Sequence, residues 1–318
     1  MPTPASFDAL THDLIDYAGL FPPATLDMSP ACSAYARHLQ SADSKRLGHF
    51  ICPAQRLDEV SKHGAMVMPG TYATSGYQEM ANVSDPWAIG AILNPDAPGE
   101  GLDAIRAFND RHGSEDRGLA RVDTIEVKAP TAAFIDEALG AVPDGIFPFF
   151  EIDHREDPRG MLAAISGQRA AAKIRCGTVE ASGMPSSDEV SRFIHACALG
   201  DVAFKATAGL HHPIRGEYRL TYDDTPPMGT MHGFVNVFLA AAFVHAKKIS
   251  HELTVALLDL TDASTLSFDD DAAAWQSPDG TLRVSTDEIT KSRRRFALSY
   301  GSCSFDEPVN ESGELGWL

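Results

Sequence analysis

The sequence is poor in basic residues. It contains 26 Lys and Arg against 44 Asp and Glu, a formal net charge of −18 at pH 7. Such an excess of negative charge repels phosphate backbones and anionic lipid headgroups at long range. We therefore expect no nucleic-acid partner and no membrane partner, and we expect a small-molecule substrate. A homo-oligomer is compatible with this composition.

Long apolar runs are also absent. No stretch approaches the roughly 18 uninterrupted apolar residues that a membrane-spanning helix needs. The first residues, MPTPASFDALTHDL, lack a basic segment followed by an apolar one. We therefore expect a cytoplasmic location.

Cysteine is scarce, and the common cofactor motifs are missing. The number of cysteines is odd, and they are widely spaced with no CxxC pair, which argues against a disulfide framework or a zinc knuckle. Neither GxxxxGK[ST] nor a GxGxxG following a strand occurs. We expect reduced thiols and no cofactor, with a divalent metal kept as an alternative. The five cysteines are Cys32, Cys52, Cys176, Cys197 and Cys303.

What the sequence does contain is an alternation of short apolar runs and amphipathic stretches. This pattern is typical of repeated βα units around a parallel sheet. A chain of 318 residues fits one barrel of about 250 residues with insertions. We predict a single-domain, TIM-type (β/α)8 barrel over residues 1–318, with a lid or rim insertion at about 213–231. The predicted barrel strands are 17–21, 49–52, 87–93, 124–129, 147–153, 172–177, 202–208 and 298–305.

The amphipathic stretches predict the helices between these strands. Residues 266–275 are an additional candidate strand; if they belonged to the barrel, 17–21 would be only an entry segment. Asp16 directly precedes the first predicted strand, so a structural cap is its expected role. The predicted helices are 30–42, 56–63, 102–112, 132–139, 158–168, 187–199, 233–247, 251–261 and 286–295.

Four consecutive predicted strands carry charged residues in alternation with apolar ones. In a strand every second residue faces the same side, so charged residues two positions apart share a face. A purely structural barrel interior is filled by Val, Ile and Leu, because an unpaired charge is costly there. We therefore predict an active site inside the barrel, formed by Glu126 and Lys128, Glu151 and Asp153, Lys173 and Arg175, and Lys205 with Thr207.

Further polar residues follow the last strands. Catalytic groups of such barrels lie at the C-terminal ends of the strands, where the βα loops begin. Cys303 is either a nucleophile or a small buried thiol. We interpret Lys205, Lys173, Glu151, Asp153 and Glu126 as catalytic candidates. The candidate substrate-binding residues are Lys128, Arg175, Thr207, His211, His212, Arg215 and Ser302.

Two resemblances accompany these patterns. The segment Phe204-Lys205-Ala206-Thr207-Ala208-Gly209 resembles the Lys-Thr-Ser-Thr-Gly segment around the Schiff-base lysine of deoxyribose-phosphate aldolases, which are class I aldolase barrels. This six-residue resemblance implies that Lys205 forms an imine, although Lys205 lies one strand late in our count and Lys173 competes for the role. More broadly, the chain is similar to a group of bacterial barrel proteins without an assigned activity, which carry Lys-Ala-Thr-Ala-Gly-Leu-His-His-Pro and Gly-Ser-Cys-Ser-Phe-Asp-Glu-Pro.

These observations favour an aldolase-like lyase acting on a small anionic carbonyl compound. A lysine among other cations in a desolvated site loses its proton more easily and becomes a nucleophile toward a carbonyl. One alternative is a lyase, isomerase or hydrolase assisted by a divalent metal on Glu151, Asp153 and a histidine. The other is a non-catalytic barrel that binds a metabolite and uses the charged residues as structural ion pairs.

Overall fold

Eight parallel strands form a closed barrel in the computed structural model, which describes residues 2–70 and 85–318. The barrel strands are β1 (Ile15–Tyr17), β2 (Leu47–Pro53), β3 (Trp87–Ile92), β4 (Ala120–Lys128), β5 (Phe147–Ile152), β6 (Ala171–Arg175), β7 (Phe204–Thr207) and β13 (Ala297–Ser302). Each strand pairs with its neighbours along the chain, and β13 closes the barrel between β7 and β1. The predicted TIM-type (β/α)8 barrel is confirmed.

Helices connect and surround these strands. All nine predicted helices are present, with ends that differ from the prediction by at most four residues. A capping box starts α7, in which Ser186 and Glu189 each accept the other's backbone N–H. None of the described helices is long and apolar enough to cross a membrane. The described helices are α1 (Ala5–Thr11), α2 (Met28–Leu39), α3 (Leu57–Gly64), α4 (Pro98–His112), α5 (Ala132–Ala141), α6 (Arg159–Ile165), α7 (Ser187–Leu199), α8 (Phe234–His245), α9 (His251–Leu258), α10 (Thr286–Arg295) and α11 (Asp306–Glu314).

The apolar core fills the space between the barrel and the helices. Ile125 and Val127 of β4, Phe150 of β5 and Ile174 of β6 are all at most 2% exposed. Each such side chain stabilises the fold by about 1.5–3 kcal/mol through burial. These residues point outward and pack against the helices. Because strand side chains alternate, their charged neighbours point toward the barrel axis.

The first strand lies earlier than the sequence pattern predicts. The prediction was residues 17–21, but β1 is Ile15–Tyr17 and the chain turns immediately afterwards, where the N–H of Phe21 donates to the carbonyl of Ala18. The apolar run starts at Leu14, so hydrophobicity alone does not mark where pairing begins. Asp16 consequently lies within a barrel strand, and the expected role as a cap in front of it is wrong.

Two small sheets lie outside the barrel. An antiparallel hairpin of β8 (Gly216–Arg219) and β9 (Met228–Met231) occupies the region predicted as a lid or rim insertion. The candidate strand 266–275 does not join the barrel: it is split into β10 (Leu266–Phe268) and β11 (Ala272–Ser277). In this three-stranded sheet β11 pairs with β10 on one side and with β12 (Gly280–Ser285) on the other. The carboxylate of Asp269 accepts two backbone N–H groups and turns the chain between β10 and β11.

Candidate active site

A cavity of about 520 Å³ opens at the carboxyl ends of the barrel strands. This is the end of the fold at which (β/α)8 enzymes carry their active sites. Leu220 and Met231, from the β8–β9 region, contribute to its wall. Seven of the twelve catalytic and substrate-binding candidates line the cavity: Glu126, Lys128, Glu151, Lys173, Arg175, Thr207 and His211.

Strand register sets four charged residues side by side across the barrel. Lys128 pairs with Glu151, Glu151 with Lys173, and Lys173 with Lys205 in successive strands. Adjacent strands lie roughly 4.8 Å apart, so long side chains at these positions are within reach of one another. The alternation recognised in the sequence therefore yields one charged layer.

Glu126 connects two lysines of this layer. One carboxylate oxygen, Oε2, lies 2.6 Å from the Nζ of Lys173, and the other, Oε1, accepts a hydrogen bond of 2.6 Å from the Nζ of Lys205. Glu126 is only 2% exposed. Burial alone would raise its pKa, but the two lysines outweigh burial and lower the pKa to about 2. Glu126 is therefore a carboxylate shared between two ammonium groups.

Lys173 belongs both to this ion network and to the cavity. Its Nζ also lies 2.9 Å from Oε2 of Glu151, whose other oxygen is 3.3 Å from the Nε of Arg175. Lys173 is 3% exposed and lines the cavity. Burial would raise the pKa of Glu151, but Lys173 and Arg175 lower it. The amine of Lys173 thus has two hydrogen-bonded carboxylates that could accept its proton.

Lys205 is level with Lys173 in the strand register but does not line the cavity. Its Nζ donates to Glu126 and, at 2.6 Å, to Oδ2 of Asp16. Burial would lower the pKa of Lys205, but Asp16 and Glu126 outweigh it and raise the pKa above its usual value. These contacts stabilise the charged ammonium. Because Lys205 is also absent from the cavity lining, it is the less suitable of the two lysines for attack on a carbonyl.

The ion network continues from Lys205 toward the opposite end of the barrel. Asp16 also accepts from the hydroxyl of Ser299 at 2.7 Å and lies 3.2 Å from Nδ1 of His49. The Nε2 of His49 lies 2.9 Å from Asp123. Sequence reasoning missed Asp16 and His49 as interior residues, although Asp16 carries the same signal as the predicted ones, a charge between apolar neighbours in Ile15-Asp16-Tyr17.

Asp153 and Arg215 are among the predicted residues that lie away from the cavity lining. Asp153 follows the last residue of β5, where strand alternation no longer applies, and its exposed carboxylate accepts the N–H of Arg155 at 3.0 Å. The guanidinium of Arg215 lies 3.1 Å from His232 and 3.4 Å from Asp259. These contacts hold the side chains of Asp153 and Arg215 outside the cavity lining.

The adjacent histidines diverge, as expected for an extended segment. His211 lines the cavity, whereas His212 stacks on Tyr218 with ring centroids 3.5 Å apart and pairs with Glu311 at 2.8 Å. Ser302 is buried 3.4 Å from Nδ1 of His211 and is not part of the lining. Of the predicted binding residues in these loops, the structure brings His211 and Thr207 to the cavity.

Two glycines allow the loops after β6 and β7 to meet at the cavity. Gly209 has a φ of +67°, and a Cβ there would lie 2.7 Å from the Cα of Gly177. Both glycines line the cavity. A side chain at either position would push the two backbones apart.

The two acids expected as metal ligands make other contacts. Within residues 2–70 and 85–318, no three His, Cys, Asp or Glu side chains come together in a group that could hold a metal ion. Glu151 forms ion pairs with Lys173 and Arg175, and Asp153 accepts the backbone N–H of Arg155 in the following loop. The ligand set proposed for the metal-assisted alternative, Glu151 and Asp153 with a histidine, is therefore not assembled.

Comparisons with known proteins add little to this geometry. No family model matches the sequence, and no curated protein matches it. A solved structure with some similarity is the spore cortex-lytic enzyme SleL of Bacillus cereus, with 8% sequence identity over 95% of this chain and 73% of that chain and a TM-score of 0.39. This similarity is too low to support any inference about the chain.

Proposed function

We propose that the protein is an aldolase-like lyase in which Lys173 forms an imine with a small anionic carbonyl compound. One observation carries the proposal: a buried lysine lines the cavity at the catalytic end of a (β/α)8 barrel while hydrogen-bonded to two carboxylates. Of the two lysines suggested by the sequence, geometry favours Lys173 over Lys205. The resemblance to aldolases is compatible with this chemistry but does not choose the lysine.

The first step is removal of a proton from Lys173. Glu151 lies 2.9 Å from its Nζ and has a side chain that is 15% exposed, so a proton passed to it can leave through the cavity. Glu126 also binds Lys205 and has a pKa lowered to about 2 by the two lysines, so it stays ionised while Glu151 takes the proton. Proton transfer to Glu151 leaves a neutral amine facing the substrate.

Addition of this amine to the carbonyl carbon gives a carbinolamine. Protonation of its hydroxyl by Glu151 releases water and forms a positively charged imine. That charge occupies the place of the original ammonium, so Glu126 and Glu151 already stabilise it without rearrangement. With a β-hydroxy substrate, Glu151 then takes the hydroxyl proton, the carbon–carbon bond breaks, and its electron pair enters the imine to give an enamine.

The cations of the cavity wall suit an anionic substrate. Lys128 lines the cavity and has no ion-pair partner in the part of the chain that the structure describes. Arg175 contacts Glu151 only at 3.3 and 3.4 Å and its side chain is 45% exposed. A carboxylate or phosphate on the substrate could therefore bind to both groups.

Borohydride trapping tests the proposal. The protein is incubated with glycolaldehyde or glyoxylate, reduced, and analysed by intact mass and peptide mapping. We expect one saturable adduct on Lys173, while the exposed lysines report the background of non-specific reaction. Lys173→Met should abolish this adduct, and Lys205→Met should retain it if the variant folds.

The rival functions give different outcomes. A non-catalytic metabolite-binding barrel would bind a carbonyl compound in calorimetry but yield no adduct above the background of the exposed lysines. Loss of turnover on chelation together with no adduct would favour the metal-assisted alternative. Either result would overturn the imine proposal.

A further inference from the structure

A second group of reactive side chains lies at the rim of the same cavity. We call Cys303, His211, Glu307 and Tyr222 the rim cluster. The Sγ of Cys303 lies 3.7 Å from Nδ1 of His211 and 3.7 Å from the hydroxyl of Tyr222. Glu307 lies 3.5 Å from the same Nδ1 and accepts the Tyr222 hydroxyl at 2.9 Å. Distant parts of the chain thus place a thiol, an imidazole and a carboxylate together.

The rim cluster faces the cavity. Cys303 and His211 are each only 6% exposed. Both line the cavity together with Lys173. A small molecule that occupies the cavity therefore meets the thiol, whereas bulk solvent has little access to it. The mechanism proposed for Lys173 does not use this group.

The surroundings of His211 favour a protonated imidazole. Burial would lower its pKa, but Cys303 and Glu307 outweigh burial and raise the pKa to about 9. An imidazolium within hydrogen-bonding reach of a thiol stabilises the thiolate, which is the nucleophilic form. Glu307 stabilises the imidazolium in turn.

The other four cysteines lack this environment. All five lie in described parts of the chain and are free and buried. Burial raises the pKa of Cys32 and of Cys176 to about 12, and it also raises the pKa of Cys52 and Cys197. Burial therefore disfavours the reactive thiolate at these four positions, so the chain contains its own controls for the reactivity of Cys303.

We propose that the rim cluster is a second covalent site, at which Cys303 adds reversibly to a small aldehyde bound in the cavity. The Cys303 thiolate forms a bond to the carbonyl carbon, the π electron pair of the carbonyl moves to oxygen, and that oxygen takes the proton held on Nδ1 of His211. The product is a neutral thiohemiacetal, and reversal of the same steps releases the aldehyde. The aldehyde class rests on the proposed function, whereas the reactivity of the thiol does not.

Alkylation with iodoacetamide tests the thiol. Rates for all five cysteines are measured by peptide mapping, and Cys303 should react at least about tenfold faster than the others. His211→Asn should remove this advantage, while the neighbouring variant His212→Asn should keep it. Glu307→Gln changes a partly exposed position and removes the carboxylate that stabilises the His211 imidazolium. It should therefore slow alkylation of Cys303. Equal rates for the five cysteines, or a Cys303 rate unchanged in both His211→Asn and Glu307→Gln, would overturn the proposal.

Protection by an aldehyde tests the adduct. In a Lys173→Met background, which cannot form the imine, glycolaldehyde should protect Cys303 from iodoacetamide, and protection should disappear after dialysis. Ethylene glycol, which lacks the carbonyl, should not protect. Rapid alkylation without protection by glycolaldehyde would disprove the adduct. Protection in this background, combined with no borohydride adduct in the unaltered protein, would support the rim site while rejecting the imine at Lys173.

Discussion

Asp16 and Lys205 are 189 positions apart in the sequence, yet the Nζ of Lys205 donates a hydrogen bond of 2.6 Å to Oδ2 of Asp16 inside the barrel. Both side chains are at most 2% exposed. The pair joins the first barrel strand to the seventh, and it holds Lys205 away from the cavity lining. It therefore explains why two lysines in adjacent strands have different expected roles.

This pair predicts non-additive losses of stability. Removing one partner of a buried ion pair leaves the other uncompensated and costs about 3–5 kcal/mol. Asp16→Asn and Lys205→Met should approach the lower end of that range, since each remaining group keeps another partner. In urea unfolding, the double variant should lose less than the sum of the single losses, by about 1–3 kcal/mol. Strictly additive losses would show that the two side chains do not interact.

His49 predicts a dependence of stability on pH. Burial would lower its pKa, but hydrogen bonds to Asp123 and Asp16 raise it from 6.5 to about 10. Because the folded protein holds this proton more tightly than the unfolded chain, the stabilisation is complete below pH 6.5 and is lost as the pH rises through about 10. Unfolding free energy should therefore fall across this interval.

The matched variants for this prediction are His49→Gln and His63→Gln. His49→Gln should be less stable near neutral pH and should show a shallower decline toward pH 10. His63 lies exposed on α3, so its replacement should leave the slope unchanged. If His49→Gln retained the full slope of unfolding free energy against pH, measured by urea unfolding, a group other than His49 would be responsible for the pH dependence.

Gly209 predicts a steric requirement at the cavity mouth. Its φ of +67° strains any other residue, and an added Cβ would meet the backbone of Gly177 at 2.7 Å. Gly209→Ala should cost about 1–3 kcal/mol and should slow borohydride trapping at Lys173. Gly313→Ala is the control, because a Cβ at that helical position has nothing within 4 Å. Normal stability and trapping in Gly209→Ala would mean that the two loops can separate freely.

The sequence predicted the barrel because its signals are local. Strands such as residues 124–129 and 147–153 combine outward apolar residues with inward charges, and this alternation determines which side chains face the axis. The inward position of Glu126, Glu151 and Lys173 follows directly from that rule. The predicted Glu151–Asp153 pair did not meet at the cavity, because β5 ends at Ile152 and alternation ends with it.

Long-range contacts were beyond sequence reasoning. Nothing near Asp16 indicates that Lys205 will reach it, because that contact depends on closure between β1, β13 and β7. In the same way, the sequence offered no base for Cys303, since His211 lies 92 positions away from it. Arg215 was predicted to bind substrate because it follows His211 and His212 closely in the sequence. Its contacts with Asp259 and His232 could not be predicted from the sequence.

Arg175 predicts a charge-specific effect on substrate binding. Arg175→Gln should raise the half-saturating concentration of glyoxylate in the trapping assay about tenfold, which corresponds to about 1.4 kcal/mol, and should change that of uncharged glycolaldehyde little. The reason is that the guanidinium lines the cavity and is bound only loosely to Glu151. Arg215→Gln serves as the control, since Arg215 is held outside the cavity lining by Asp259. If the half-saturating concentrations of both aldehydes rose equally, Arg175 would act through the position of Glu151. The anionic end of the substrate would then bind elsewhere, and Lys128 would be the next residue to replace.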